Sequence, residues 1–264
     1  WRGLNIEELV KDEIRKDIFS MDMINPILIY LFVRRLQLSG VKMKLAIDWH
    51  ENQVIDRALI LGIRNFYPKT KIHGYQGYVV PDYYACKDPI SIEYENKTLP
   101  HKIFVIGEKF IESKKKYCTN LPVFIAPAFR FSAIHSVNNN AKNPLNKILL
   151  LLPISIKESQ EIIRVGISLV SLIGHKYDFY LKQHPSYTKD KLISIFPQIL
   201  GSSLKFMEKD LYSQILESNL LISSSSSVCL EASLLGVKVA IIGSRTGPTM
   251  NPLERLIDFK DCKV

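Results

Sequence analysis

Apolar positions along this chain recur with two periods, and the alternation between them predicts the order of elements. Ile6, Leu9, Val10 and Ile14 keep helical spacing, and Asn25-Pro26 is expected to open a second helix that ends at Ser39-Gly40. Residues 42–48 (KMKLAID) then read as a strand, 51–63 as a helix and 71–75 as a strand. A tyrosine-rich loop punctuated by Gly74, Gly77 and Pro81 follows. Residues 102–107 (KIFVIG) predict a strand, the stretch through Lys116 a helix, and 122–126 another strand.

Asn138-Asn139-Asn140 and Asn143-Pro144 make the clearest linker. Beyond it the alternation restarts. Strands are predicted at 147–152, 177–182, 204–207, 220–222 and 237–242, with helices at 156–172, 189–196, 211–218 and 228–235 between them. Strands alternating with helices on both sides of a linker imply two doubly wound α/β domains, 1–140 and 141–264. Ligands of such sheets lie beyond the carboxyl ends of the strands, so the loops after strands are where chemistry is expected.

Composition changes this picture little. Hydrophobic residues make up 47% of the 264 and charged residues 23%, an ordinary globular balance that excludes disorder or a coiled coil as the main character. Cys86, Cys118, Cys229 and Cys262 have no metal or redox spacing and read as free thiols of a reducing compartment. The apolar runs are too short to span a bilayer. The chain opens on Trp1 and stops at Val264 soon after a strand, as a fragment would. A net charge of +9, spread along the chain, suits anionic ligands or an anionic membrane surface. No nucleic-acid recognition motif accompanies it.

The strongest local signal is LLISSSSSVCLEASLLG, residues 220–236. Ser223, Ser224, Ser225, Ser226 and Ser227 follow an apolar strand and precede a helix, so hydroxyls and free backbone N–H groups gather where an anion is attracted. A capped turn is the alternative. Glu231, one turn further, could accept from ribose hydroxyls or pair with a lysine. A second strand ends in Gln183-His184-Pro185, where Pro185 fixes the loop and His184 can donate to a phosphate or protonate a leaving group.

In the first half, Asp48-Trp49-His50-Glu51-Asn52 ends a strand and opens a helix. Glu51 and His50 are acid/base candidates there, although Asp48, Glu51 and Asn52 also suit the start of a helix. Gln76 and Asp82 in the tyrosine loop, and Arg130 in the stretch 126–135 (APAFRFSAIH), are expected on the acceptor side. There is no G-x-G-x-x-G, Walker loop or G-x-S-x-G elbow, no Asp-x-Asp after a strand and no histidine pair at metal spacing, so no metal and no cofactor is expected.

The segment LEASLLGVKVAII, with its E-A-x-x-x-G-x-x-V pattern, resembles the nucleotide-binding helix of GT-B glycosyltransferases. Many retaining members carry an E-x7-E motif there; Ser223 occupies the first glutamate position. A His-Pro pair followed by a serine-rich loop is similar to bacterial sialyltransferases, Kdo transferases and teichoic-acid glycerophosphotransferases. In those the two motifs hold the phosphate of a cytidine nucleotide, which implies the same role for His184, Pro185 and the five serines. Sialyltransferases also carry an acidic D/E-D/E-G motif; Glu51-Asn52-Gln53 is what this chain offers as a counterpart. The stretch 51–81 looks like bacterial surface-carbohydrate biosynthesis proteins.

The resemblance implies two Rossmann-like domains. It implies a metal-independent transferase moving a sugar from a nucleotide donor, cytidine expected, to a glycan or glycolipid acceptor. Glu51 would be the base, and His184 with the serine loop would steady the leaving phosphate. The expected location is the cytoplasm, at the inner face of the plasma membrane. A nucleotide-sugar epimerase of similar fold and a non-enzymatic binding protein are the alternative expectations.

Overall fold

A computed structural model describes residues 5–18, 20–79, 84–136, 146–245 and 247–254. The chain forms two compact units; among the described residues the first takes in those up to Tyr78 and Tyr84–Ala128, and the second Val79 and those from Phe129 onward. The predicted linker, Asp82 and Cys262 lie outside the described residues.

The first unit contains α1 (Glu7–Asp17), α2 (Met21–Leu38), β1 (Leu45–Trp49), α3 (Val54–Phe66), β2 (Lys71–Gln76), α4 (Ser91–Glu95), β3 (Lys102–Val105), α5 (Lys109–Lys115) and β4 (Val123–Ile125). Its strands pair in parallel in the order β1-β2-β3-β4. The amphipathic α3 turns Ile60 and Ile63 onto Ile72 of β2, and α2 closes over them with Val33. The opposite face of the sheet leaves Leu45, Ile47, Trp49 and Phe124 exposed.

The second unit contains α6 (Ala133–Ser136), β5 (Lys147–Leu151), α7 (Ile156–Ile173), β6 (Asp178–Lys182), α8 (Lys189–Ile195), β7 (Lys205–Phe206), α9 (Leu211–Leu216), β8 (Leu220–Ser223), α10 (Val228–Leu234) and β9 (Lys238–Ile241). The parallel order is β7-β6-β5-β8-β9, which runs outward from β5 on one side and then on the other. That is the doubly wound arrangement, with its switch point at the ends of β5 and β8. Helices start on side-chain caps: Ser155 accepts from the Glu158 N–H, Thr188 from Lys191 and Asp210 from Ser213.

Several boundaries differ from the sequence reading: the first strand is Leu45–Trp49 rather than 42–48, and the helix after it is Val54–Phe66 rather than 51–63. The second helix starts at Met21, so Pro26 lies inside it rather than opening it. The proline removes the hydrogen bond to the Asp22 carbonyl, which sits on an exposed residue in the first turn, where solvent can replace it. Helices α4 and α6 and the one-turn segments at 85–87, 129–131 and 197–199 are too short to leave a periodic signal. Cys118 and Cys229 are buried and Cys86 exposed, all with free thiols. Among the described residues no helix is long and apolar enough to cross a membrane.

The α2–α3 contact is close because Gly62 has no side chain. A Cβ there would come within 3.1 Å of the Val33 Cβ and 3.5 Å of the Tyr30 Cα. Val33 is buried and β-branched, so it cannot turn aside. Gly62→Val should therefore lower stability by about 1–3 kcal/mol, read as a fall in the urea midpoint at unchanged slope.

Candidate functional site

The loop after β8 is where the second sheet changes its direction of winding, and all five serines there have partners. Ser223 is fully buried, and its Oγ donates to the Leu151 carbonyl at 2.8 Å, tying the end of β8 to the end of β5. Ser224 and Ser225 each donate from Oγ to Oε2 of Glu158 at 2.6 Å. The Ser226 hydroxyl accepts from the Val228 N–H at 3.3 Å. Ser227 instead accepts from Nη2 of Arg130 at 2.8 Å. Within four residues the loop passes from a carboxylate to a guanidinium.

A cavity of about 270 Å³ opens beside the carboxylate end, lined by Glu158, Glu161, Ser224, Ser225, Gly243 and Arg245 among others. It lies beyond the carboxyl ends of β5, β8 and β9. The bond from the Ile242 N–H to the Ser223 carbonyl at 2.7 Å holds its rim together. Glu158 is the third residue of α7, and its backbone is fixed by the Ser155 cap. The S-x-x-E spacing of Ser155 and Glu158 is visible in the sequence, where it reads as a helix start and nothing more.

Glu231 is elsewhere. It is 5% exposed and hydrogen-bonded to Tyr212, whose phenol is pushed up to about 12 by burial first and by this carboxylate second. Arg130 belongs to the second unit, where it donates to Ser227, and Gln76 to the first. His184 follows β6, half-buried, with Nδ1 accepting from the Ser186 N–H at 3.2 Å; Pro185 beside it is exposed. Because β6 and β8 flank β5 on opposite sides, their ends stand roughly 10 Å apart. No hydrogen bond among the described residues joins His184 to the serine loop.

In the first unit the end of β1 is densely charged. His50 is 1% exposed, its Nδ1 is 3.0 Å from Oδ2 of Asp48, and its Nε2 is buried without a partner. Asp56 accepts from the N–H groups of Glu51 and Gln53 at 2.9 Å each, while burial raises its carboxyl above the ordinary range. Asp48, His50 and Asp56 could each offer one metal-ligand atom within 4.8 Å of the others. Asn52 adopts a positive φ of 56° and donates to the Cys86 carbonyl and to Glu93.

Glu51 is one-third exposed, paired with buried Lys87 and accepting from Gln53. The Lys87 ammonium also lies 5.7 Å from the Tyr78 ring and 5.8 Å from that of Tyr84. Burial raises the Tyr78 phenol, which stays protonated. Gln76 is 2% exposed and donates to the Tyr78 hydroxyl. Lys87 and Lys114 give no signal in sequence, because a lysine reads as surface until its partners are known.

No family model matches the chain, and no curated protein is similar to it in sequence. Solved structures do match. The MnaA–UDP co-structure from S. aureus has a TM-score of 0.55 at 17% identity, over 85% of this chain and 64% of that one. The pneumococcal O-GlcNAc transferase GtfA in complex with UDP and GlcNAc has a TM-score of 0.51 at 12% identity, over 79% and 44%. The GtfA/B complex has 0.50 at 13% identity, over 83% and 46%. This chain thus spans less than two thirds of the length of each. At such identities the likeness is one of fold, two Rossmann-like units of GT-B type.

The charged cluster at the end of β1 depends on Lys114, which is fully buried and donates to Asp88 Oδ1 and to the Lys87 carbonyl, both at 2.8 Å. Lys114→Ala leaves the Asp88 carboxylate buried and unpaired. The expected cost is about 3–5 kcal/mol in chemical denaturation. Lys114→Ala with Asp88→Ala should recover part of it, because no lone charge then remains.

Proposed function

We propose that this chain is the core of a GT-B glycosyltransferase that takes a sugar from a nucleotide donor and passes it to a glycan or glycolipid acceptor of a bacterial surface. The observation that carries the reading is the serine loop at the switch point of the second sheet, with the Arg130 guanidinium on one end and a cavity at the other. Arg130 supplies a fixed cation for the diphosphate, the role a metal would otherwise fill. As the glycosidic bond to phosphate breaks, charge grows on the leaving oxygen. Arg130 and His184 are assigned to stabilise it electrostatically, with His184 able to pass a proton to it. Glu51 is assigned as the base toward the acceptor hydroxyl, with Lys87 and Gln53 fixing its carboxylate.

The pairing of His184-Pro185 with the serines favours cytidine, whereas the MnaA and GtfA structures hold UDP. Two strand spacings between His184 and the loop suit a diphosphate better than a lone phosphate. Within the cytidine class this favours a CDP-linked donor over a CMP-linked one.

Thermal-shift measurements with CMP, CDP, UDP and GDP test this reading. A nucleotide at 100 times its dissociation constant should add about 2.7 kcal/mol of stability. Arg130→Gln and His184→Ala should each weaken binding roughly 10- to 100-fold, one charge-assisted hydrogen bond apiece. Stabilisation by UDP or GDP but not CDP or CMP would overturn the cytidine assignment. Silence from all four would overturn the donor site. Conversion of a nucleotide sugar with no acceptor present would point to an epimerase instead.

A further inference from the structure

The cavity beside the serine loop carries two carboxylates, Glu158 and Glu161, and two cations, Lys157 and Arg245, around a loop that reads, in sequence, as an anion trap. Glu158 and Glu161 both line it from α7. The two carboxylates are treated differently. Glu161 has Arg164 at 2.9 Å and Arg245 at 3.9 Å. No cation pairs with Glu158 among the described residues. Its charge rests on the hydroxyls of Ser224 and Ser225, and both donate to the same oxygen, Oε2. Oε1 accepts no hydrogen bond among the described residues. Glu158 is half-exposed on the cavity wall, so this second oxygen is open to a donor from a ligand.

A phosphate placed against Ser224 and Ser225 would have to displace both serine bonds and would meet the Glu158 carboxylate at close range, with Lys157 and Arg245 elsewhere in the lining. A neutral group with adjacent hydroxyls meets no such repulsion and donates to the oxygen that lacks a partner. The size agrees: ligand pockets usually run to roughly 300–1,000 Å³, and about 270 Å³ is a subsite for one ring rather than for a whole nucleotide. Glu231, which the sequence offered for this task, is buried against Tyr212.

We propose that Glu158 reads a vicinal diol in this cavity, the ribose of the nucleotide or the ring of the sugar it carries, while the phosphates lie toward Arg130. The inference rests on the nucleotide-sugar reading above and adds a specificity-determining residue to it.

The test is isothermal titration of the full chain with UDP, CDP and GDP, their 2′-deoxy forms and their glucose-linked forms, on wild type, Glu158→Gln and Ser225→Ala. Wild type should prefer a ribonucleotide to its deoxy form if the diol is ribose, or a sugar nucleotide to the bare nucleotide if it is the sugar. Either preference should be about 10-fold, one hydrogen bond to a charged group. Glu158→Gln, nearly isosteric, should abolish that preference by lowering the affinity of the diol-bearing ligand about 10-fold, while the deoxy form or the bare nucleotide it is compared with binds as before. Ser225→Ala, which loosens the carboxylate without removing it, should weaken it. A preference retained in Glu158→Gln overturns the assignment. So does uniformly tighter binding of all nucleotides by that variant, because Glu158 would then be occupying a phosphate position. Absence of any binding by wild type would overturn the donor site itself, whereas an unchanged preference removes Glu158 alone.

Discussion

The burial of β5 on both faces is the constraint from which the second unit follows. Ile148 and Leu150 point into one core with α7 and α8 residues, and Leu149 into the other with residues of α9 and α10. Each buried leucine contributes about 1.5–3 kcal/mol, so the strand has no stable place at an edge. The chain must cover it from both sides, which it does by winding out through β6 and β7 and returning through β8 and β9. The reversal cannot be closed by a loop from β5 itself, and a crevice remains where the two directions part. Ser223, hydrogen-bonded to the Leu151 carbonyl, is the one serine of the loop spent wholly on holding that crevice to its strand.

The first unit uses buried charge for a related purpose. Lys114–Asp88, Arg57–Glu93 and Lys87–Glu51 all place at least one partner under 10% exposure. Such pairs add little net stability, because desolvation offsets most of the attraction. What they do is fix position. Glu93 holds Arg57, the Asn52 amide and the Ile90 N–H together, and so keeps Asn52 in a left-handed conformation that few side chains adopt without help. Glu51 is the residue just before that bend. Its exposure at the end of β1 is therefore set by a network made mostly of residues distant in sequence.

This explains what could and could not be read from sequence. The strands of both sheets and the longer helices were legible, since burial of alternate or third-and-fourth residues is written directly in KILLL, DFYLK or VIDRALILGIRNF. The place of the serine loop was legible too, because a polar run after an apolar strand has one position in a parallel sheet. The partners were not. Nothing local shows that Ser224 and Ser225 face Glu158, that Arg130 reaches Ser227, or that His50 and Glu231 are buried. Those facts depend on which strands neighbour one another, and the order β7-β6-β5-β8-β9 is not encoded in any single segment. Pro26 misled for the opposite reason: a local rule about helix starts gave way to an apolar helix packed on α3.

A run of identical residues hides a change of role. In sequence the five serines look like five donors around one anion. In the folded chain Ser224 and Ser225 donate, to a carboxylate, while Ser227 accepts, from a guanidinium. A hydroxyl can do either, so composition cannot reveal the polarity and only the partners set it. The loop therefore has one end against a guanidinium and one end against a carboxylate. A free phosphate satisfies one end and opposes the other, and an uncharged sugar leaves the guanidinium without a counter-ion. A molecule with phosphates at one end and a hydroxylated ring at the other would satisfy both, which is the form of the nucleotide-linked sugar we propose as donor.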